Sequence, residues 1–265
     1  MALSRRSGSA EPNPDLREEP AQQGEGNRKW LARLGNEDGV ILIGGTSLAD
    51  FRLRVAQSSL RSDMLPSYWS LCGILLKGEI FASVPLGPGS DISAIPKCNA
   101  VRTCPLEEYD DPQLYPNVAV IRFAKIHKTV HEDIRHLRED RTILDFPALM
   151  LPWLGFVWGT GGAPNPLING IGIPSAAFVE TVFAMAGFEL TPGLSSASSC
   201  PEAIWQSAKW WADFYKGATE TTQVKGKSAK SRASEEKDAK AAAMVPTGFY
   251  ILRQRAAAVI ASDVP

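Results

Sequence analysis

An α+β domain built around an antiparallel sheet is the fold class that this sequence predicts, and three observations predict it. Short apolar runs of strand length fill the first half of the chain, while the second half is dominated by helical spacing. Two of the strand runs are joined by nothing longer than Lys77-Gly78-Glu79, a hairpin connection with glycine where positive φ is needed. From Ile126 the apolar residues recur as Ile126, Val130, Ile134 and Leu137, one face of a helix.

The elements follow in order. Residues 1–28 are polar and punctuated by proline and glycine, the composition of a disordered arm. Trp30 to Leu34 has the pattern of one helical turn. Val40 to Ile43, bounded by Gly39 and Gly44-Gly45, reads as a buried strand. Leu48, Phe51 and Val55 then fall at helical spacing, with Arg52, Arg54 and Arg61 off that stripe, so a short amphipathic helix is expected to bury the former. Leu71 to Leu76 and Ile80 to Val84 form the hairpin. Six prolines make 84–117 irregular, with a short strand at Ala100-Val101-Arg102. Asn117 to Phe123 is rich in β-branched residues and reads as another strand. Leu144 to Trp158 is apolar but broken by Pro147 and Pro152, a buried flap or packed helix, with Asp145 capping or bending the chain before Pro147.

A Gly/Pro/Asn-rich loop leads to Pro174, and the helix from Ser175 to Ala186 is ended by Gly187. Another helix starts near Ser199, with Pro201 in its first turn and Ile204, Trp205, Ala208, Trp211 and Tyr215 on one face. Residues 217–243 are biased to Lys, Glu, Ala and Ser and read as a mobile linker or a marginal helix capped by Ser234. The apolar content of Phe249 to Ile260 suits a segment that docks back on the domain or on a partner. The domain proper is thus expected at 29–216, with the linker at 217–243 and the docking segment at 244–265.

Composition narrows the partners. The chain has 265 residues, with 28 Lys plus Arg against 29 Asp plus Glu, so no basic excess points to nucleic acid. No run approaches the roughly 20 apolar residues of a spanning helix, and no integral membrane segment is expected. The N-terminal residues lack an apolar core of signal-peptide length, so a soluble cytoplasmic protein is the expectation. Cys72, Cys98, Cys104 and Cys200 show no metal-knuckle spacing; the Cys98/Cys104 pair is spaced to close a small loop, and free, partly buried thiols are the simpler reading.

Two stretches carry a resemblance. Ser70-Leu71-Cys72-Gly73-Ile74 opens the hairpin, and Pro174-Ser175-Ala176-Ala177-Phe178-Val179 opens a helix. In this order they resemble the circularly permuted, YiiX-like branch of the NlpC/P60 (papain-like) cysteine hydrolases, where a Ser-His-x-Gly-Ile strand precedes a Cys-Ser-x-Phe-Val helix start. The resemblance covers roughly 38–123 and 165–215. It implies a papain-like antiparallel sheet packed against helices, and a centre in which a helix-terminal thiolate meets a strand imidazole. Leu71 stands at the histidine position and Ser175 at the cysteine position.

Leucine transfers no proton, and a serine hydroxyl is a nucleophile only with a base beside it. The resemblance therefore implies a degenerate centre with no catalytic residue. Such a pseudoenzyme keeps a cleft, with Leu71 beside Ser175 and Ser70, Ser83, Pro174 and Ala176 around them. Its ligand would be an unidentified peptide, acyl chain or protein. Two plainer readings stand beside it: Ser175 as the N-cap of its own helix, and Leu71 as core. Strand alternation would turn Cys72 away from any cleft that Leu71 faces. The competing functional reading is an active amide, ester or thioester hydrolase using Ser175, or a thiol such as Cys200, with a histidine from the helix at 126–138.

His127, His131 and His136 are the only histidines, without the HExxH order of a zinc helix, so a solvated flank is the reading and no metal is expected. Neither Gly44-Gly45 nor Gly159-Thr160-Gly161-Gly162 continues into a phosphate or dinucleotide loop, and no cofactor is expected. Trp210 and Trp211 are adjacent and cannot both face one core, which marks them as a candidate partner surface.

Overall fold

The computed structural model describes residues 16–35, 37–86, 97–123, 129–159, 162–224 and 246–253. Its centre is β2 (Gly39–Gly44), whose unbroken Val-Ile-Leu-Ile run is buried on both faces. On one side β2 pairs antiparallel with β3 (Leu71–Leu76), with Ile41 opposite Gly73; on the other it pairs with β6 (Asn117–Phe123), with Ile41 opposite Val120. β4 (Ile80–Ser83) and β5 (Arg102–Pro105) extend the sheet beyond β3. β7 (Pro246–Arg253) lies against β6, and β1 (Leu16–Glu18) adds outside it as the one parallel pairing among the described residues. The order is β1-β7-β6-β2-β3-β4-β5, a seven-stranded, mostly antiparallel sheet.

Strand alternation sorts the core into two layers. Val40, Leu42, Cys72, Ile74, Ala119 and Ile121 face the larger cluster. That layer is completed by α2 (Leu48–Ala56), α3 (Val130–Glu139), α4 (Phe146–Val157), α5 (Pro174–Met185) and α6 (Pro201–Val224). Ile41, Ile43, Leu75, Val118 and Val120 face the smaller cluster, under α1 (Asn27–Arg33) and a 3-10 turn at Leu106–Tyr109. The α+β class and the antiparallel sheet packed against helices are as the sequence implied.

Local chemistry sets the element ends. Lys77 (φ 52°) and Gly78 (φ 70°) both adopt the left-handed conformation that a tight hairpin needs. Asp145 caps α4 by accepting from the Ala148 amide at 3.1 Å and pairs with Arg141 at 2.6 Å. Pro174 sits in the first turn of α5, where its missing N–H is harmless, and Gly187 (φ 81°) follows the helix end. The buried Asn99 ties the α3–α4 connection down: Nδ2 donates to the carbonyls of Leu137 (2.9 Å) and Leu144 (2.8 Å), and Oδ1 accepts from Phe146 at 3.2 Å.

Several expectations need correction. α2 is rotated from its expected face: Leu48 and Val55 are 59% and 41% exposed, while Leu53 and Ala56 are buried. Buried hydrogen bonds hold that rotation, with Arg54 Nε donating to Ser67 O (2.7 Å) and Gln57 Nε2 to Leu53 O (2.9 Å) and Trp69 O (2.8 Å). The short strand expected at Ala100 to Arg102 begins at Arg102 instead, since Asn99 and Ala100 have positive φ. The arm expected to reach residue 28 contributes β1 and the start of α1, because the unpaired edge of β7 gives Leu16–Glu18 a partner. α6 continues to Val224, past the expected linker boundary at 217. Residues 124–128, 225–245 and 254–265 lie outside the described residues, so His127 and parts of the expected linker and docking segment do too.

Candidate functional site

The pairing of β3 with β4 stops at Ile74–Ala82, short of Cys72. Two serine hydroxyls satisfy the Cys72 backbone there. Ser83 Oγ donates to its carbonyl at 2.5 Å, and its amide donates to Ser175 Oγ at 3.3 Å, with the thiol 3.8 Å from the same hydroxyl. Ser175 therefore does not cap its own helix. Ile173 is the N-cap residue, without a side-chain bond, and the hydroxyl of Ser175 serves the neighbouring strand.

This geometry corrects the expected centre. Cys72 belongs to the helix-facing layer, whereas Leu71 packs with the smaller cluster on the opposite face of β3. Leu71 and Ser175 do not share a cleft, and the strand neighbour of Ser175 is Cys72. Gly73 fixes this orientation. A Cβ there would stand 2.6 Å from the Phe81 ring, so the Leu71/Gly73/Leu75 side must be the one that Phe81 covers. Ser83, Pro174 and Ala176 are all buried, so among the described residues no open cleft surrounds Ser175, itself 0% exposed.

The electrostatics match burial. Desolvation pushes the Cys72 thiol far up, and it pushes Cys200 up to about 12. Glu180, one helical turn beyond Ala176, is held above the usual carboxylate range by burial. Hydrogen bonds from the Thr191 amide (3.3 Å), the Thr191 hydroxyl and Ser199 Oγ (3.1 Å) oppose that shift. A neutral thiol in a dry interior is a poor nucleophile.

Neither described histidine serves this centre. His131 lies 3.7 Å from Asp38 and is exposed, and His136 is exposed on the same helix. Among the described residues no three metal-ligating side chains gather. Trp211 is half-buried, with its indole donating to Leu190 O at 2.9 Å and its ring 5.3 Å from Phe188. Trp210 is the exposed member, 51% accessible and stacked on Phe214 at 5.3 Å. Among the described residues no helix is long and apolar enough to cross a membrane.

A recess of about 420 Å³ opens elsewhere, at the end of β2. Ser47 and Asp50 from α2, Ser70 and Leu71 from the start of β3, and Arg102, Glu108, Tyr109 and Tyr115 line it. Asp50 is fixed from both sides: Ser70 Oγ donates to Oδ1 and Ser47 Oγ to Oδ2, each at 2.6 Å. The backbone of Gly45 lies directly under that carboxylate, where a Cβ would come 2.2 Å from Oδ2. Arg102 is already paired with Glu108 at 2.7 Å. Of the residues expected in a cleft, Ser70 and Leu71 line this recess, while Ser83 and Ser175 meet at Cys72.

Sequence reasoning missed Asp50, Ser47 and the Arg102/Glu108/Tyr115 wall. Ser47-Leu48-Ala49-Asp50 does carry a signal, a capping-box spacing in which the Asp50 amide donates to Ser47 Oγ at 3.1 Å. No family model matches the chain, and no curated protein or solved structure gives a significant match.

Proposed function

We propose that this protein is a non-catalytic binding protein on a degenerate papain-like scaffold of the permuted NlpC/P60 type, and that its ligand enters the recess beside Asp50. The scaffold reading is supported by the order of the two stretches and by the start of α5 abutting β3 through Ser175 and Cys72. The observation that carries this reading is the Ser175 hydroxyl: fully buried, it accepts from a backbone amide, and among the described residues no base stands beside it. Its rival, a hydrolase with Ser175 or Cys200 and a histidine, lacks support because both groups are sealed in the core and His131 faces Asp38. A peptide side chain or small molecule suits a recess of this volume better than a protein surface does.

The test is covalent. Incubation with a fluorophosphonate and an iodoacetamide probe, read by intact-mass and peptide mass spectrometry, should leave Ser175, Cys72 and Cys200 unmodified in the folded protein. Stoichiometric adduct on Ser175 under native conditions would sink the proposal.

A further inference from the structure

Resting on that reading of the recess, we infer that its ligand carries an alkylammonium or guanidinium group, which Asp50 receives. Three features converge on this chemistry. A carboxylate offers about four acceptor sites, and among the described residues the hydroxyls of Ser47 and Ser70 fill two. Those two bonds hold the group in one orientation over Gly45, so a cation meets a preorganised partner. The cation of the wall, Arg102, is paired with Glu108, so the described lining carries one net negative charge, that of Asp50.

Other groups near Asp50 do not take the place of the ligand. Arg54, one turn along α2, is buried, donates its Nε to Ser67 O at 2.7 Å and feels the charge of Asp50 from outside the lining of the recess. Tyr115 presents a half-buried ring, held edge-on to Tyr109 at a centroid distance of 5.1 Å. Its hydroxyl is pushed up by burial and then by the charge of Asp50, so it stays protonated as a donor or ring-face partner. Leu53, Leu71 and Leu86 supply apolar wall for an aliphatic stem. An anion would meet Asp50, and among the described lining residues the one cation, Arg102, is already paired with Glu108. The amine can belong to a peptide side chain or to a free diamine, which the experiment separates.

The experiment is calorimetric titration of the full chain, at low salt, with four probes: N-acetyl-lysine amide, putrescine, N-acetyl-norleucine amide and N-acetyl-glutamate amide. The expected result is saturable binding of one or both cationic probes, weakened at least about tenfold by Asp50→Asn and by added salt. N-acetyl-lysine amide binding the tighter identifies a peptide source, and putrescine a free diamine. Tyr115→Leu, which keeps the charge, should weaken the cationic probes and spare the neutral one; thermal melts of both variants establish that they fold. Binding of the neutral or anionic probe in preference to the cations overturns this inference and leaves the recess as the ligand site. Failure of all four to bind overturns the inference and the recess together.

Discussion

Replacing Ser175 with alanine separates the structural role of this residue from a catalytic one. In the native protein its hydroxyl is the acceptor for the Cys72 amide, at 3.3 Å, inside a site that water does not reach. Alanine leaves that buried N–H without a partner, which costs about 1–3 kcal/mol. Taking the middle of that range, Ser175→Ala should lower stability by about 2 kcal/mol. The melting temperature should fall by roughly 4–8 °C for a chain of this size. Ser83→Ala removes the donor to the Cys72 carbonyl and should cost less, about 1 kcal/mol, because an under-satisfied carbonyl is better tolerated than an orphaned amide. Both serines act on one residue, so the double variant should depart from additivity by about 0.5 kcal/mol or more. Urea unfolding followed by circular dichroism measures all three, with an unchanged m-value as the check that stability alone moved. A Ser175→Ala change within about 0.5 kcal/mol of zero would refute the reasoning, since a solvent-facing or strained nucleophile, and not a structural acceptor, would give that result.

Three further outcomes follow from the same packing. Burial raises the native pKa of Glu180 above its unfolded value, so its contribution to stability is full below the unfolded pKa and is lost as pH rises through the native one. Glu180→Gln should flatten that decline in pH-dependent unfolding, because an amide can accept from Thr191 N–H and donate to the Thr191 and Ser199 hydroxyls; a decline as steep as in wild type counts against this. Gly44→Ala places a Cβ 1.8 Å from the backbone oxygen of Tyr68 and should cost about 3 kcal/mol or more, measured as loss of folded yield or midpoint. With a thiol-specific disulfide reagent, Cys98 should react first in the native protein. The buried Cys72, Cys104 and Cys200 should react only on unfolding, and native labelling of Cys72 would show that its site opens to solvent.

Much of the frame was legible in the residues. Asn117–Phe123, the Lys77-Gly78 hairpin and the helix that starts at Pro174 are local structures, specified by β-branching, by a turn that needs positive φ, and by proline followed by helix formers. The composition of the apolar runs also gave the α+β class. Less legible was α2, whose most apolar stripe points outward because Arg54 and Gln57 are satisfied by carbonyls of distant segments. The recess escaped notice for a related reason: Asp50, Arg102 and Tyr115 are far apart in sequence, and a capping box by itself announces only a helix start.

What the sequence alone determined, then, are the elements whose chemistry is contained within a few neighbouring residues. Tertiary structure decided the rest: that β7 lies between β1 and β6, that Cys72 and not Leu71 turns toward α5, and that Asp50 ends at the floor of a recess. Alternation along a strand fixes which residues share a face but not which face is covered by which helix. That choice belongs to long-range packing, here to the Phe81 ring over Gly73 and to the serine that completes the end of a ladder.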